Sequence, residues 1–559
     1  MAPQEHQQSQ PMTKRAIISA FIFRFPPNQP TKPSIALFKR SNTVRTYRHH
    51  LAPISGSIDL TTDPTPLAAA WRELREETTL TPSDLSLWRT GKPFTFCDPS
   101  ITREWTVHPF AFRLKSPTGE GAIRTDWEHE GWEWYDPKTV LEHEKLNLPT
   151  VPRLQDSLAR VWFEGVTNER AGRALATGLE RLATDHESGS HELTAIALTV
   201  FRDFIVYSRG DLDGRWWDMV RAAGWHLVKN GRESMGAGTL NAVLSILGEI
   251  EGILEQGMTG AEGKWERILA VVDHYLGRRV YRAQQIKDCF VSYLLSQFAD
   301  GGGKKDRLTI LTMSSSSTIR DSILDAYDSL RIKSLELRIL ESRPLFEGAS
   351  IASSILSTFK SRPNAHDKHL HIRLYTDASA ALAAKDVDIV LLGADCISAT
   401  KGVSNKTGSL PLVLSARHVT PSVRVVVLSA LEKVTGSTGV IDDELTESND
   451  PFEVWSAWRS DGVRGVQVLE KGMKRDKSEE ETSSVTVENT YFEWVPLDMV
   501  DAFVCEEGVL DRDSIQEKSR KLKEMADRYF GNLTADNLRE VNDGDSEGKV
   551  YGLLGGEST

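Results

Sequence analysis

A chain of 559 residues is several times the roughly 150-residue size of a common domain, so it should bury more than one core. Hydrophobic residues make up 40% and charged residues 26%, with 40 Gly and 23 Pro, a composition that excludes collagen-like, disulfide-scaffold and wholly disordered classes. Lys and Arg number 67 against 79 Asp and Glu, a net charge of -12, so no overall basic field draws the chain to DNA or anionic lipid, and only a local basic pocket for phosphate is compatible with it.

Cys97, Cys289, Cys396 and Cys505 lie far apart with no C-x-x-C pair for zinc or dithiol chemistry, and reduced thiols are expected. The N-terminus lacks the basic and apolar segments of a secretory leader, and no stretch reads as the ~18–20 apolar residues of a membrane span, which points to the cytosol or nucleus and to no membrane partner. Residues 1–13 are Gln- and Pro-rich and read as a disordered tail. Ile17–Phe23 and Ser34–Phe38 then read as two strands around a Pro-rich loop, opening a domain over 14–165 that closes with a strand at Glu130–Tyr135 and a helix over Leu154–Glu164.

Within this domain Thr65-Pro66-Leu67-Ala68-Ala69-Ala70-Trp71 leads into Arg72-Glu73-Leu74-Arg75-Glu76-Glu77. Pro suits the first helical turn and the alanines favour helix, so offsets of three and four place Glu73, Glu76 and Glu77 close together on one face. Three like charges there repel unless a cation sits among them, and carboxylate oxygens suit Mg²⁺ or Mn²⁺, an ion that would bridge a diphosphate and activate water for hydrolysis. A bare R-E-x-x-E-E is more often a solvated helix face. With Gly56-Ser57-Ile58 upstream and Glu128-His129-Glu130-Gly131-Trp132-Glu133-Trp134 downstream, however, the region resembles the Nudix hydrolase family over roughly 14–165.

The resemblance implies an α/β/α sandwich with a mixed sheet and Mg²⁺- or Mn²⁺-dependent cleavage of a nucleoside diphosphate derivative. It implies Glu73, Glu76 and Glu77 as metal ligands, one of them acting as base, Arg72 holding a glutamate in place, and Gly56 opening the motif's loop. Three features depart from the family pattern. Gly56 lies sixteen residues before Arg72, two more than usual; Pro64 stands in place of the loop glutamate, beside Asp63; and Thr79 replaces the glycine after the helix, although β-branched residues tolerate φ > 0 poorly. His49, His50, Arg48 and Arg103 could contact phosphate, though surface positions are the commoner fate of such residues.

From 166 to 300 the apolar residues recur at helical spacing and predict a helical subdomain. After Gly301-Gly302-Gly303 the rhythm changes, and strand-like runs at 308–312, 335–340, 389–392 and 423–428 alternating with helices predict a Rossmann-like parallel sheet over 301–535. A flexible acidic insert is expected at about 445–485, strand-like Tyr491–Pro496 and a helix over Asp513–Tyr529 follow, and 536–559 reads as a loose tail. Asp395 ends a buried strand in Gly393-Ala394-Asp395, the edge where open α/β sheets bind ligands, and Gly402–Ser409 offers amide, ammonium and hydroxyl groups before a helix, a set that serves equally as a capping loop.

These residues, with Glu341-Ser342-Arg343-Pro344 and Asn230-Gly231-Arg232-Glu233, resemble the family that unites the α, β and δ subunits of translation initiation factor 2B with methylthioribose-1-phosphate isomerase and ribose-1,5-bisphosphate isomerase. The resemblance implies a sugar-phosphate or nucleotide site made of Arg232, Arg343, Asp395, Asn405 and Lys406, and pairing through the Rossmann-like region into a homodimer. The isomerases use a cysteine after the first strand of this sheet, where Ser314 stands here; a hydroxyl is a far weaker acid than a thiol, so isomerisation is not expected. Three readings result. The first is a Nudix-type hydrolase fused to a non-isomerising ligand-binding or assembly domain. The second is an initiation factor 2B-like regulatory protein with translation-factor partners and a non-catalytic Nudix module, and the third, weaker one is a sugar-phosphate isomerase.

Overall fold

The computed structural model describes residues 12–28, 32–115, 121–142, 149–185, 188–256, 260–298, 306–436, 438, 440–441, 449–473, 485–531 and 533; the tails expected at 1–13 and 536–559 lie outside these except for Met12 and Thr13, and Thr13 already opens the first strand. The described residues fall into two compact units, one reaching to Arg173 and taking in Asp213–Met219 and Leu533, the other made of Ala174–Leu212 and Val220–Asn532.

The first unit is built on seven strands: β1 Thr13–Arg24, β2 Ser34–Arg40, β3 Leu51–Ala52, β4 Leu85–Thr90, β5 Phe94–Asp98, β6 Arg103–Leu114 and β7 His129–Tyr135. They form one mixed sheet in the order β3-β2-β1-β6-β4, with β7 added to β2 and β5 to the other end of β6. β1 and β6 run parallel over eleven paired residues, from Thr13↔Arg103 to Phe23↔Arg113. Alternation along β1 sends Ile18, Ala20 and Ile22 to one face, where Ala69, Ala70 and Leu74 of helix α1 (Pro66–Thr78) cover them. Phe21 and Phe23 point to the other face and meet Leu154, Leu158 and Val161 of helix α3 (Leu154–Val161), which follows the short α2 (Pro137–Leu141). The result is the α/β/α sandwich expected, with α1 on one side and α3 on the other.

Helix α1 ends on Thr79 in the left-handed region, φ 64°. The unfavourable conformation for a β-branched residue is offset locally, since its N–H donates to the Arg75 carbonyl and its hydroxyl to the Ala122 carbonyl, each at 3.0 Å. Replacing Thr79 by the isosteric Val removes only the second bond and should cost about 1 kcal/mol in urea unfolding, while Gly, which relieves the strain but loses the bond, should stay within about that amount of wild type.

The second unit opens with helices α4 (Glu169–Thr184, its first turns in the other unit), α5 (Ser190–Tyr207), α6 (Gly214–Lys229, in the second unit from Val220), α7 (Ala237–Glu255) and α8 (Ala261–Phe298). Among the described residues α7 is the one helix long and apolar enough to cross a membrane, contrary to the reading that no such stretch exists; 67% of its apolar window is buried inside the protein, the environment of a core helix. There follow β8 Arg307–Thr312, α9 Ser317–Ser329, β9 Ser334–Leu340, α10 Glu347–Lys360, β10 His369–Tyr375, α11 Ala380–Ala383, β11 Ile389–Leu392, β12 Cys396–Ser398, β13 Gly402–Lys406, α12 Ser409–Val419, β14 Arg424–Leu428 and β15 Val434–Thr435. The chain completes with α13 Phe452–Ser460, α14 Val466–Met473, β16 Phe492–Val495, β17 Ala502–Cys505, β18 Gly508–Leu510 and α15 Arg512–Phe530.

Strands β10-β9-β8-β11-β14-β17 are parallel neighbours, with β18 antiparallel at the edge. This is a doubly wound order in which the chain reverses direction across the sheet between β8 and β11. Ile286, Phe290 and Leu294 of α8 lie in the same core as Ile310, Leu337 and Leu391 of the sheet, so the helical array and the sheet share one interior.

Two findings depart from expectation. Gly402–Lys406 is not a capping loop but strand β13, paired to β12 and β16 in a separate four-stranded sheet ordered β15-β12-β13-β16, a partner that no local pattern announces. The insert expected to be flexible contains α13 and α14 where it is described, from 449 to 473; residues 442–448 and 474–484 lie outside the described set. Arg459 of α13 grips Glu470 of α14 with two bonds of 2.9 and 2.8 Å, Val466 is buried, and Asn489 donates to Glu453 at 2.9 Å, so the helices are tied to each other and to the returning chain.

Candidate functional site

Helix α1 is started by Thr65, whose hydroxyl accepts from the Ala68 N–H at 3.1 Å, with Pro66 in its first turn. That start fixes which residues face the sheet and which face the loop ahead of the helix. Arg72 becomes the hub. Its guanidinium donates to both Asp63 oxygens at 3.0 and 2.8 Å, to the Ser57 carbonyl at 3.1 Å, to Glu73 at 2.8 Å and to Glu76 at 3.2 Å. Asp63 is buried, and the guanidinium holds its carboxyl below the usual carboxylate range. The acid missing at Pro64 is therefore supplied one residue earlier, by a residue that sequence reasoning noted only as a neighbour.

The three glutamates do not share one environment. Glu73 and Glu77, one turn apart, line a cavity of about 500 Å³ together with Gly56 and Glu128. The Glu76 side chain is 57% exposed and committed to Arg72, so the expected trio is not gathered around one point, and among the described residues no three His, Cys, Asp or Glu side chains converge as a metal-ligand group. Glu73 rests on Gly56 so closely that a Cβ there would lie 1.8 Å from its Oε1.

Burial raises the pKa of Glu73, and burial followed by the charge of Glu73 raises that of Glu77 further; Glu128 is raised for the same first reason. His129 approaches Glu77, Nε2 to Oε2 3.4 Å, but burial lowers its pKa, so it is a poor source of compensating charge. The cavity thus concentrates desolvated hard-oxygen donors whose burial outweighs the charges of Arg72 beside Glu73 and of Arg40 near Glu77 and Glu128, a donor set that fits Mg²⁺ or Mn²⁺.

The rest of the cavity has the opposite character. Arg15, Arg40, Arg45 and Arg103 line it, and none of the four forms an ion pair with a carboxylate among the described residues. Arg103 lies 4.9 Å over the ring of Trp105, and Tyr47, whose hydroxyl donates to Asp98, stands beside them. Of the basic residues singled out in the sequence only Arg103 is placed here. His49 pairs with Glu130 at 2.6 Å, the Arg48 side chain donates to the Val44 carbonyl at 2.9 Å, and His50 meets the Arg48 carbonyl at 2.8 Å. Arg15 and Arg45 carried no signal, since a lone arginine in a strand or loop reads as surface.

In the second unit, Ser314 and Asp395 come to the carboxyl ends of β8 and β11, the switch point of the sheet. Ser314 has φ 65°, and its N–H donates to the Ser342 hydroxyl at 2.8 Å. Asp395 is half-buried and its N–H donates to the Ser404 carbonyl at 2.9 Å. Arg343 is exposed, its backbone N–H on Asp377 at 2.8 Å and its guanidinium 5.4 Å from the Phe346 ring. Asn405 is buried and its amide donates to the Ser409 hydroxyl at 2.9 Å. Lys406 is buried too, its ammonium 2.9 Å from Glu347 and 4.4 Å from the centre of the Tyr491 ring. Arg232 belongs to the helical array, where its guanidinium donates to the Asp185 carbonyl at 3.0 Å.

Comparison with known proteins divides the chain in the same way. Residues 17–154 match the model of the NUDIX domain, and residues 237–512 that of the Initiation factor 2 subunit family. A methylthioribose-1-phosphate isomerase of Pseudomonas fluorescens is 28% identical over 174 residues, which is 31% of this chain and 40% of the relative. The chain thus spans less than half the length of the curated relatives it matches. Among solved structures, the translation initiation factor eIF-2B of Pyrococcus horikoshii is 18% identical with a TM-score of 0.41, over 61% of this chain and 98% of that one. The tetrameric eIF2B-beta2-delta2 complex of C. thermophilum is 12% identical with a TM-score of 0.43, over 65% and 98%.

Proposed function

We propose that the first unit is a Mg²⁺- or Mn²⁺-dependent pyrophosphohydrolase acting on a nucleoside diphosphate derivative, fused to a non-isomerising module that pairs the chain into a homodimer. The observation that supports the first part is one cavity lined both by desolvated glutamates and by arginines that form no ion pair with a carboxylate among the described residues. Glu73, Glu77 and Glu128 are the oxygen donors that would hold the cation, with Glu76 committed to Arg72. When bound, such an ion neutralises diphosphate charge and activates water. The chain's own residues do the rest: Arg72 and Asp63 fix the start of the acidic helix against its loop, Arg103 and its neighbours attract the anionic substrate, and Trp105 and Tyr47 offer flat surfaces to a base.

The non-isomerising reading of the second unit rests on Ser314. A thiol titrates near pH 8.5 and can exchange a proton near neutrality, whereas an alkyl hydroxyl needs a base beside it, and no imidazole bonds Ser314 among the described residues.

Incubation of the full chain with Mg²⁺ and a panel of nucleotide sugars and dinucleoside polyphosphates should release a nucleoside monophosphate from at least one of them, and EDTA should abolish the release. Absence of turnover across the panel would favour the interaction-protein reading, with translation-factor partners. Conversion of methylthioribose 1-phosphate to its ketose would refute the role given to Ser314.

A further inference from the structure

The second unit offers positive charge to a ligand at two places, one buried and one half-buried, and the chain's own carboxylates occupy both. The Lys406 side chain is only 6% exposed; its ammonium sits 2.9 Å from Glu347 Oε2 at the start of α10 and faces the rings of Tyr491 and Phe492 at 4.4 and 5.5 Å. The start of α12, separated from Lys406 by Thr407 and Gly408, points its free amides at Glu493 on β16. The N–H groups of Gly408 and Leu410 both donate to Glu493 Oε1, the second at 3.0 Å. β13 and β16 pair Asn405 with Glu493 and Lys406 with Phe492, so the sheet register brings the glutamate and the aromatic wall to the same spot.

A lysine ammonium and a helix N-terminus both readily seat a phosphate. We propose that Glu347 and Glu493 are built-in substitutes for a phosphate and make the switch point of this unit refuse phosphorylated ligands. An incoming phosphate dianion would have to displace a carboxylate from a nearly inaccessible ammonium. That step is unfavourable, because a buried charge pair opened on one side leaves the other charge uncompensated. The residues that resemble a phosphate site are thereby kept as an internally charge-paired cluster, and the unit is free to serve assembly without a small anionic ligand.

The test is calorimetry of the full chain with inorganic phosphate and with ribose 5-phosphate. Because the first unit can also bind phosphate, the signal of the second is defined as the binding that Lys406→Met removes. In wild type Lys406→Met should remove none. Glu347→Gln, which keeps the side chain's shape and cancels its charge, should add a site with at least ~10-fold tighter binding than wild type, and Lys406→Met in that background should abolish it. Glu493→Ala, which frees the α12 amides while leaving the Lys406 pair intact, should add a weaker site, read as the binding present in Glu493→Ala and absent from wild type, and guards against a folding defect in Glu347→Gln. Ribose 5-phosphate binding in wild type that Lys406→Met destroys would overturn the proposal. So would the failure of both Glu347→Gln and Glu493→Ala to gain any binding, since these places would then not be anion seats.

Discussion

Glu77→Gln is expected to lower Mg²⁺-dependent hydrolysis at least ~100-fold and, in the same protein, to raise the melting temperature measured in EDTA. Both effects have one cause. Glu77 is 4% exposed and lies beside Glu73 and Glu128, Arg72 is spent on Asp63, Glu73 and Glu76, and the charge of Arg40 offsets only part of the burial. Burial and like charge raise the folded-state pKa of Glu73 and Glu77 above the unfolded value. The folded state therefore binds more protons than the unfolded one, and stability without metal is lost as pH rises from the ordinary carboxylate range through the raised pKa values, by about 1.4 kcal/mol for each pKa unit of elevation.

An amide at position 77 removes that penalty together with a donor oxygen charge. Thermal scans from pH 4 to 8 should show the EDTA melting temperature falling toward high pH in wild type, less so in Glu77→Gln, and Mg²⁺ restoring wild type but not the variant. Glu76→Gln is the contrasting case. Its side chain is 57% exposed and paired with Arg72, so its removal should cost hydrolysis less than ~10-fold. Equal losses in the two variants would show that the helix presents all three glutamates to the ion, and no loss in Glu77→Gln would remove the site from this cavity.

How much of this was legible in the sequence follows from the range of the interactions. The acidic helix was readable because its signals are local: Thr65 and Pro66 at the start, alanines inside, glutamates at fixed offsets. The alternating strands of the second unit were readable for the same reason. The role of Asp63 was half-visible, because the motif leads one to look at Pro64, while the folded loop carries the acid at the preceding residue to Arg72. Thr79 reads as a departure that should deform the turn, yet the turn keeps φ 64°, since a carbonyl on the segment after β6 takes the threonine hydroxyl. Lys406 could not have been placed correctly. A lysine after an asparagine ahead of a helix looks like a phosphate ligand, and what neutralises it is a glutamate on a different helix, brought near only by the order of the strands. The helices of 452–473 were obscured by the charge run that follows them, although Trp455, Trp458, Val466 and Leu469 mark apolar faces at helical spacing.

Gly56→Ala separates catalysis from stability more sharply than any change to the acids themselves. The added Cβ would fall 1.8 Å from Glu73 Oε1 and 2.0 Å from its Cδ, where no carbon can be accommodated, so the carboxylate must leave its place. It can do so cheaply, because what is displaced is the end of a flexible side chain rather than backbone, and the expected loss of stability is under about 1 kcal/mol. The Gly56 carbonyl accepts from the Ile18 N–H at 3.0 Å, so the strand contact that anchors the loop does not depend on the missing side chain. Turnover should nevertheless fall at least ~100-fold, since a donor moved by an ångström or more no longer meets an ion held by Glu77 and Glu128. Chemical denaturation should give near-wild-type midpoints, and the Mg²⁺-induced rise in melting temperature should shrink in parallel with activity. Full activity in Gly56→Ala would mean that Glu73 does its work from another rotamer. The contact between loop and helix would then be packing, and the cation would have to be assigned to Glu77 and Glu128 with a third donor found elsewhere in the cavity.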